Sequence, residues 1–126
     1  MKKFQIFTYK TNTYTLINKS QAVATVTGRA GWEALLRSKP AMVFGYPWYR
    51  DCPEMFKVKD VESCREALKK IINGYVVSQQ QIMHYLKCFD NSTIHGYFPD
   101  LEKNSELTIE ENRDNIVQKI LLEIKT

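Results

Sequence analysis

The sequence predicts an α/β fold in which a short parallel sheet is covered by helices. Two segments carry this prediction, since "AVATV" (22–26) and "AMVFG" (41–45) are short, apolar and separated by a helical segment. Strands that are covered on both faces have this composition. Strands that alternate with helices form parallel sheets. The later half of the chain carries helical patterns, and we expect those helices to cover the sheet.

The segments around these strands are predicted from composition and capping signals. "FQIFTY" (4–9) is typical of a short strand. A helix over 12–20 has Asn12 or Thr13 as its cap. The helix between the two apolar strands covers 31–38, because a proline follows shortly after it.

The same signals place the remaining elements. They are a weak strand over 56–58, a helix from Asp60 to Gly74, a helix opened by the capping box of Ser78 and Gln81, a loop over 89–106, and a terminal helix opened by the capping box of Thr108 and Glu111. We therefore predict a single domain over 1–126, with a mainly helical part over 73–126.

Composition excludes several classes of protein. The 126 residues are 44% hydrophobic and 25% charged, which is ordinary for a globular domain, and no apolar run is long enough to span a bilayer. The net charge of +4 is too diffuse to predict nucleic-acid binding. The three cysteines lack CxxC spacing, which favours free thiols in a reducing compartment. We expect a cytoplasmic protein, and peripheral attachment to the inner membrane stays open.

The turn after the first apolar strand is the candidate site. Ligands of parallel sheets gather beyond the carboxyl ends of the strands. "TGRAG" (27–31) joins that end of the strand to a helix, whose first N–H groups favour phosphate. Thr27 adds a hydroxyl, Arg29 a cation, and Glu33 a carboxylate suited to a pair of ribose hydroxyls. The same residues also fit a plain βα turn, in which the glycines serve backbone geometry and Glu33 is a surface residue.

The order of residues around this turn resembles a known family. "VATVTGRAGWEALLRSKPAMVFGYPWYRDCP" is similar to the nucleotide-sugar half of the capsule polysaccharide biosynthesis and export family, whose members resemble GT-B glycosyltransferases that use CMP-Kdo (Kdo is 3-deoxy-manno-octulosonic acid). The shared pattern is a T-G-x-A-G-x-E-A-L motif, then K-P, V-F-G and an aromatic pair. The resemblance covers 13–72 as a nucleotide-sugar-binding core. It implies a partial Rossmann-like fold.

The resemblance also implies a role for each matching residue. Thr27, Gly28, Ala30 and Gly31 would cradle the nucleotide phosphate, with Arg29 beside it, and Glu33 would hold the ribose. Three aromatic residues would line the pocket near the sugar or the base, or else pack their loop onto the sheet: Tyr46, Trp48 and Tyr49. Kdo transfer of this type needs no redox cofactor, and we expect neither a cofactor nor a metal site.

The chain departs from the family pattern in ways that bear on catalysis. Arg29 stands where a small hydroxyl residue is usual, and Glu54 where a glycine is usual. The acceptor-binding half of a GT-B enzyme and its catalytic base have no counterpart here. Neither His84 nor His95 fills the place of the family's His-Pro, and we expect both to be structural or exposed. No catalytic residue is assigned, and whether this is an enzyme stays open.

Two interpretations follow from these observations. In the first, the chain is the C-terminal, nucleotide-sugar-binding part of a capsular glycosyltransferase and is inactive alone. In the second, it is a non-catalytic α/β binding or assembly module derived from that fold. The expected partners are a CMP-Kdo-like nucleotide sugar and either the missing N-terminal half or a second copy of the chain.

Overall fold

The fold is α/β, with a short sheet of three parallel strands and helices packed on it, as predicted. A computed structural model describes residues 4–97 and 105–125. The elements within them, in chain order, are α1 (Thr13–Lys19), β1 (Val23–Thr25), α2 (Ala30–Leu36), β2 (Ala41–Val43), β3 (Met55–Lys57), α3 (Val61–Ile72), α4 (Gln79–Ser92) and α5 (Ile109–Ile124).

The sheet has the strand order β1-β2-β3, and both neighbouring pairs are parallel. Thr25 pairs with Val43, and Val43 pairs with Lys57, so the three strands end in register at one edge. All three residues of β2 are buried, because β2 lies between two strands and is covered on both faces. This is why its sequence is apolar throughout. The expectation that β1 is also covered on both faces is wrong, because β1 lies at the edge of the sheet, where Ala24 is exposed and Val23 and Thr25 are half-buried.

Helices α2 and α3 cover the sheet. Helix α2 contacts β1 and β2, and α3 contacts β3. The core on the α3 side consists of Met42, Val58 and Ala67, with Cys64 and Ile71 packed against it. Local capping explains where the helices begin, since the Asn12 side chain accepts a hydrogen bond from the Thr15 N–H and the Asp60 side chain accepts one from the Ser63 N–H.

The chain divides into two compact units, one up to Tyr85 and one from Leu86. The first unit contains the sheet with α1, α2 and α3, and the second contains α5. Helix α5 begins at the predicted capping box of Thr108 and Glu111. No residue of α5 is buried, so its apolar side chains, such as Leu121 at 49% exposure, do not form a core in the described structure.

Two predicted elements are wrong. Residues 4–8 form no strand, and Phe4 and Ile6 are almost fully exposed, because a strand needs a neighbouring strand to bind its backbone. The loop predicted from residue 89 begins later, because α4 continues to Ser92; residues 98–104 of that loop lie outside the described residues.

Candidate functional site

Three loops meet at the carboxyl edge of the sheet. They are residues 26–29 after β1, 44–46 after β2 and 58–60 after β3. Because the strands are parallel and in register, these loops are neighbours. This edge is where open parallel sheets bind ligands, so the candidate site is built from the three loops.

The first loop is a tight turn that is held from two sides. The Gly28 N–H donates to the Thr25 Oγ1 at 3.1 Å, and the Tyr49 hydroxyl donates to the Gly28 carbonyl. A Cβ atom on Gly31 would lie 2.8 Å from the Thr25 Cγ2 and 3.1 Å from the Tyr49 hydroxyl oxygen. The second glycine of the motif therefore lets Tyr49 pack beneath the turn.

The second loop approaches the first so closely that only glycine fits between them. A Cβ atom on Gly45 would lie 2.8 Å from both the Thr27 Cγ2 and the carbonyl oxygen of Val26. The Gly45 N–H donates to that same carbonyl at 3.0 Å. The backbone after β2 thus lies directly against the turn after β1.

The start of α2 lacks the side-chain cap that other helices have. Arg29 is its N-cap residue, has a helical φ of −61° and makes no side-chain capping hydrogen bond. Helices α1, α3 and α5 are capped by Asn12, Asp60 and Thr108. The first N–H groups of α2 consequently have no capping side chain.

The nine predicted site residues differ in how much of each is exposed to solvent. Thr27, Gly28, Arg29 and Tyr46 are exposed, and Trp48 is 49% exposed. Ala30 and Glu33 are half-buried, whereas Gly31 and Tyr49 are buried. Burial raises the pKa of the Tyr49 phenol. Tyr49 thus supports the turn from below, while the exposed residues form its outer surface.

Glu33 lines a cleft that does not include the aromatic residues of the loop after β2. Its cleft has a volume of about 320 Å³ and is lined by Tyr14, Glu33, Leu36 and Arg37. The Arg37 guanidinium lies over the Tyr14 ring at 4.4 Å, so one wall of this cleft is a cation–π pair. Tyr46 and Trp48 are not among the residues that line this cleft, which the sequence alone could not indicate.

The aromatic loop after β2 packs into a larger aromatic cluster. The Trp32 ring lies 4.9 Å from that of Trp48 and 6.1 Å from that of Tyr49. The Tyr85 hydroxyl donates to the Trp48 carbonyl at 2.9 Å. Trp32 and Tyr85 were not predicted, because helical spacing alone does not reveal a contact between α2 and α4.

The loop is also fixed by a buried arginine. The Arg50 guanidinium donates to the Gly45 carbonyl and lies 4.4 Å over the Tyr46 ring. Arg50 is only 7% exposed. It therefore orders the loop rather than offering a free positive charge to a ligand.

A cavity of about 580 Å³ opens beside the ends of β2 and β3. It is lined by Phe44, Val58, Lys59, Asp60, Val61, Cys64, Arg65 and Leu68. This cavity was not predicted from the sequence. The available signal was positional, since Phe44 and Val58 directly follow two strands whose carboxyl ends share one edge.

Glu54, which departs from the family pattern, has a structural role. Its carboxylate is buried and accepts hydrogen bonds from the Tyr75 hydroxyl at 2.9 Å and the Ser78 N–H at 2.8 Å. Burial, together with this hydrogen bond to Glu54, raises the pKa of Tyr75 to about 12. Glu54 thus joins the start of β3 to the segment that leads into α4.

The remaining candidates for chemistry are dispersed. All three cysteines are free thiols, as predicted; Cys52 is buried, Cys64 half-buried and Cys88 exposed. Both histidines are exposed, which agrees with the expectation that they are structural or exposed. Within residues 4–97 and 105–125, no group of three His, Cys, Asp or Glu side chains could hold a metal ion.

In the same part of the chain, no helix has the length and apolar character needed to cross a membrane.

Comparison with known proteins gives one match. No curated protein and no solved structure matches the chain significantly. The sequence model of one family, described as capsule polysaccharide biosynthesis protein, matches residues 1–53. This segment contains β1, α2, β2 and all nine predicted site residues. Over its first 53 residues the chain is similar to the capsule polysaccharide biosynthesis family, which supports the resemblance seen in its sequence.

Proposed function

We propose that the unit up to Tyr85 is the nucleotide-sugar-binding part of a capsular polysaccharide glycosyltransferase with a CMP-Kdo-type donor. One observation carries the proposal. The segment similar to the capsule family contains the turn after β1 and the loop after β2, and these two loops meet at the carboxyl edge of the sheet.

The exposed side of the turn would bind the phosphate of the donor. The Thr27 hydroxyl would donate a hydrogen bond to a phosphate oxygen, and the Arg29 guanidinium would pair with its charge. The turn at Gly28 is packed against the Thr25 Oγ1, which would lie 3.1 Å from a Cβ atom there, and α2 has no capping side chain in competition with a ligand. As the bond between sugar and phosphate breaks, Arg29 would stabilise the negative charge that grows on the departing CMP.

The remaining site residues would contact the sugar parts of the donor. In this proposal the Glu33 carboxylate accepts hydrogen bonds from the ribose hydroxyls, and the exposed rings of Tyr46 and Trp48 lie near the transferred sugar. Tyr49 supports the turn and does not touch the ligand, since it is 1% exposed. The acceptor site and the base that activates the acceptor would come from another domain, so we propose no turnover by this chain alone.

Titration with CMP, followed by NMR chemical shifts, tests the proposal. We expect CMP to shift the backbone signals of residues 27–31, and we expect Thr27→Ala and Glu33→Ala each to weaken binding strongly. Thr15→Ala and Glu66→Ala are matched controls, because both residues are exposed and belong to helices α1 and α3, not to the loops of the site. A wild-type protein that shows no CMP binding at millimolar concentration would contradict the proposal.

A second candidate function is an assembly module without catalysis. It is favoured by the exposed apolar residues of α5, among them Val117, Ile120 and Leu121, each between 46% and 49% exposed. Such a surface is typical of an interaction site. Light scattering over a range of concentrations tests it: association that Leu121→Asp abolishes supports assembly through α5, and a monomer at every concentration contradicts it.

A further inference from the structure

One long edge of the sheet has no partner strand among the described residues, because β1 ends the strand order. The Val23 N–H donates to the Pro40 carbonyl at 3.0 Å. The Thr25 carbonyl accepts from the Phe44 N–H, also at 3.0 Å. Because the backbone groups of successive residues point to opposite sides of a strand, the N–H and the carbonyl of Ala24 point away from β2. They are therefore available to a further strand.

The same edge of the sheet presents apolar side chains to solvent. Ala24 is exposed, and Val26, which follows β1, is 64% exposed. The Thr25 side chain between them faces α2, since a Cβ atom on Gly31 would lie 2.8 Å from its Cγ2. The face of β1 that carries Ala24 is thus not covered by α2. In addition, β1 contains neither lysine nor proline, the residues that often keep an edge strand from pairing.

Segment 4–9 has the composition of a strand but pairs with no strand in the described structure. Phe4 is 99%, Ile6 96% and Tyr9 93% exposed. Phe4 and Ile6 are two residues apart, so in an extended strand they would lie on the same face. Each chain therefore has one strand-like segment and one sheet edge, and the described structure gives neither of them a partner strand.

A second copy of the chain can supply both missing partners. The chain's own β1 does not take up segment 4–9, as the exposure of Phe4 and Ile6 shows. If segment 4–9 of each copy pairs with β1 of the other, a two-fold axis relates the copies and the assembly closes at two chains. A buried aromatic side chain contributes about 150–250 Å². Phe4 and Ile6 of both copies, with the surface that they cover, therefore reach about 1,000 Å², which is enough for a specific interface.

We propose that two copies of this chain dimerise by exchanging segment 4–9, which adds a fourth strand to the sheet of the other copy. The Ala24 N–H donates to a carbonyl of the added strand, and the Ala24 carbonyl accepts from an N–H of that strand. Phe4 and Ile6 cover the apolar surface beside Ala24. This dimer does not depend on nucleotide binding, and it differs from assembly through α5, which belongs to the other unit of the chain.

Hydrogen exchange at the Ala24 N–H tests the pairing directly. NMR would measure the exchange rate over a range of protein concentrations, and light scattering would give the fraction of dimer at each. Where about nine-tenths of the chains are dimeric, exchange at Ala24 should be about tenfold slower than in the monomer, because only the unpaired fraction exchanges. The Val23 N–H is the control, since it is bonded to Pro40 in both states. A monomer at every concentration, or a dimer that leaves the Ala24 rate unchanged, would overturn the proposal.

Two variants remove one partner of the pairing each. Ala24→Pro deletes the N–H on the outer side of β1 and leaves the hydrogen bonds to β2 in place. Ile6→Lys puts a charge on the added strand. We expect each variant to raise the Kd of the dimer at least tenfold. Ile72→Lys is the matched control for Ile6→Lys, since this residue is 78% exposed on α3 and should leave the Kd unchanged. If a variant does not fold, hydrogen exchange in the wild type decides.

A mixture of the two variants distinguishes exchange between copies from pairing within one chain. Ile6→Lys keeps an intact edge and Ala24→Pro keeps an intact segment 4–9, so one of the two pairings can form between them. We expect a heterodimer in the mixture although neither variant dimerises alone, and its absence up to millimolar concentration would overturn the proposal. Leu121→Asp, which alters α5, should dimerise like the wild type. Dimerisation that is lost in Leu121→Asp but kept in Ile6→Lys and Ala24→Pro would also overturn it.

Discussion

The two junctions at which a loop enters a helix at the sheet's carboxyl edge are built in opposite ways. Between β1 and α2, the turn is tight, relies on two glycines that neighbouring side chains crowd, and leaves the helix start without a capping side chain. Between β3 and α3, the start is closed by a capping box of Asp60 and Ser63, and an apolar cavity lies beside it.

This difference suggests a division of roles along one edge. An exposed arginine at a helix start that has no capping side chain favours an anion at the first junction. At the second, the Asp60 carboxylate already occupies the helix start, so an uncharged group is favoured there. We propose that the phosphate of the nucleotide binds at the first junction.

The largest effect is expected from Gly45→Ala, which tests how tightly the first junction is packed. The added Cβ would lie 2.8 Å from the Val26 carbonyl oxygen, and a backbone atom of this kind cannot move without disturbing the turn. We expect the free energy of unfolding to fall by about 1–3 kcal/mol, as for other overpacked sites. Urea denaturation measures this loss, and unchanged stability would show that the two loops are not in close contact.

Gly31→Ala should destabilise the protein less than Gly45→Ala. The new Cβ would crowd the Thr25 Cγ2 and the buried Tyr49 ring. Alanine is, however, favoured over glycine within a helix by about 1 kcal/mol, which offsets part of the steric cost. Gly31→Ala combined with Tyr49→Phe is the informative comparison, because removing the hydroxyl that lies 3.1 Å from the new Cβ should recover part of the loss. No recovery would contradict this packing.

These glycines illustrate which parts of the molecule the sequence could predict. The strand β2 was predicted because its composition reports burial on both faces, whereas the apolar composition of β1 located the strand but not its exposed position at the edge of the sheet. Asn12, Asp60 and Thr108 were predicted as caps because capping is local. The resemblance to the family could likewise be seen in the sequence, because its motif is contiguous in the chain and lies within the matched residues 1–53.

Features that depend on distant contacts could not be predicted. The segment 4–8 has the composition of a strand but has no strand beside it in the described structure. Tyr49 and Tyr46 are three residues apart in one aromatic loop, yet one is 1% and the other 84% exposed. The cavity combines Phe44 with residues from 58–68, so no single stretch of sequence indicates it.

Asp60→Ala tests the second junction and should have a moderate effect that depends on pH. Hydrogen bonds from Ser63, first from its backbone N–H and then from its side chain, hold the pKa of Asp60 below its usual range. Because the folded-state pKa is lowered, this stabilisation is complete above the ordinary aspartate pKa of about 3.9 and is lost as the pH falls through the lowered value.

Thermal unfolding of the wild type and of Asp60→Ala across this pH range measures the effect. The difference in Tm should be constant near neutral pH and should shrink in acid. Glu66→Ala is the control, because this exposed carboxylate lies within α3 and away from its start. A difference that does not vary with pH would show that Asp60 acts through something other than its ionised carboxylate.

The smallest effect on stability is expected from Thr25→Val, which returns to the first junction. The substitution keeps the shape of the side chain and removes the oxygen that accepts from the Gly28 N–H at 3.1 Å. Because that N–H is exposed and water can replace the lost partner, the cost should be no more than about 1 kcal/mol. The turn should nevertheless become more mobile. The free energy of CMP binding should therefore fall by more than the free energy of unfolding. Hydrogen exchange at Gly28 together with CMP titration measures both, and a variant that binds CMP like the wild type would show that the ligand does not need a rigid turn.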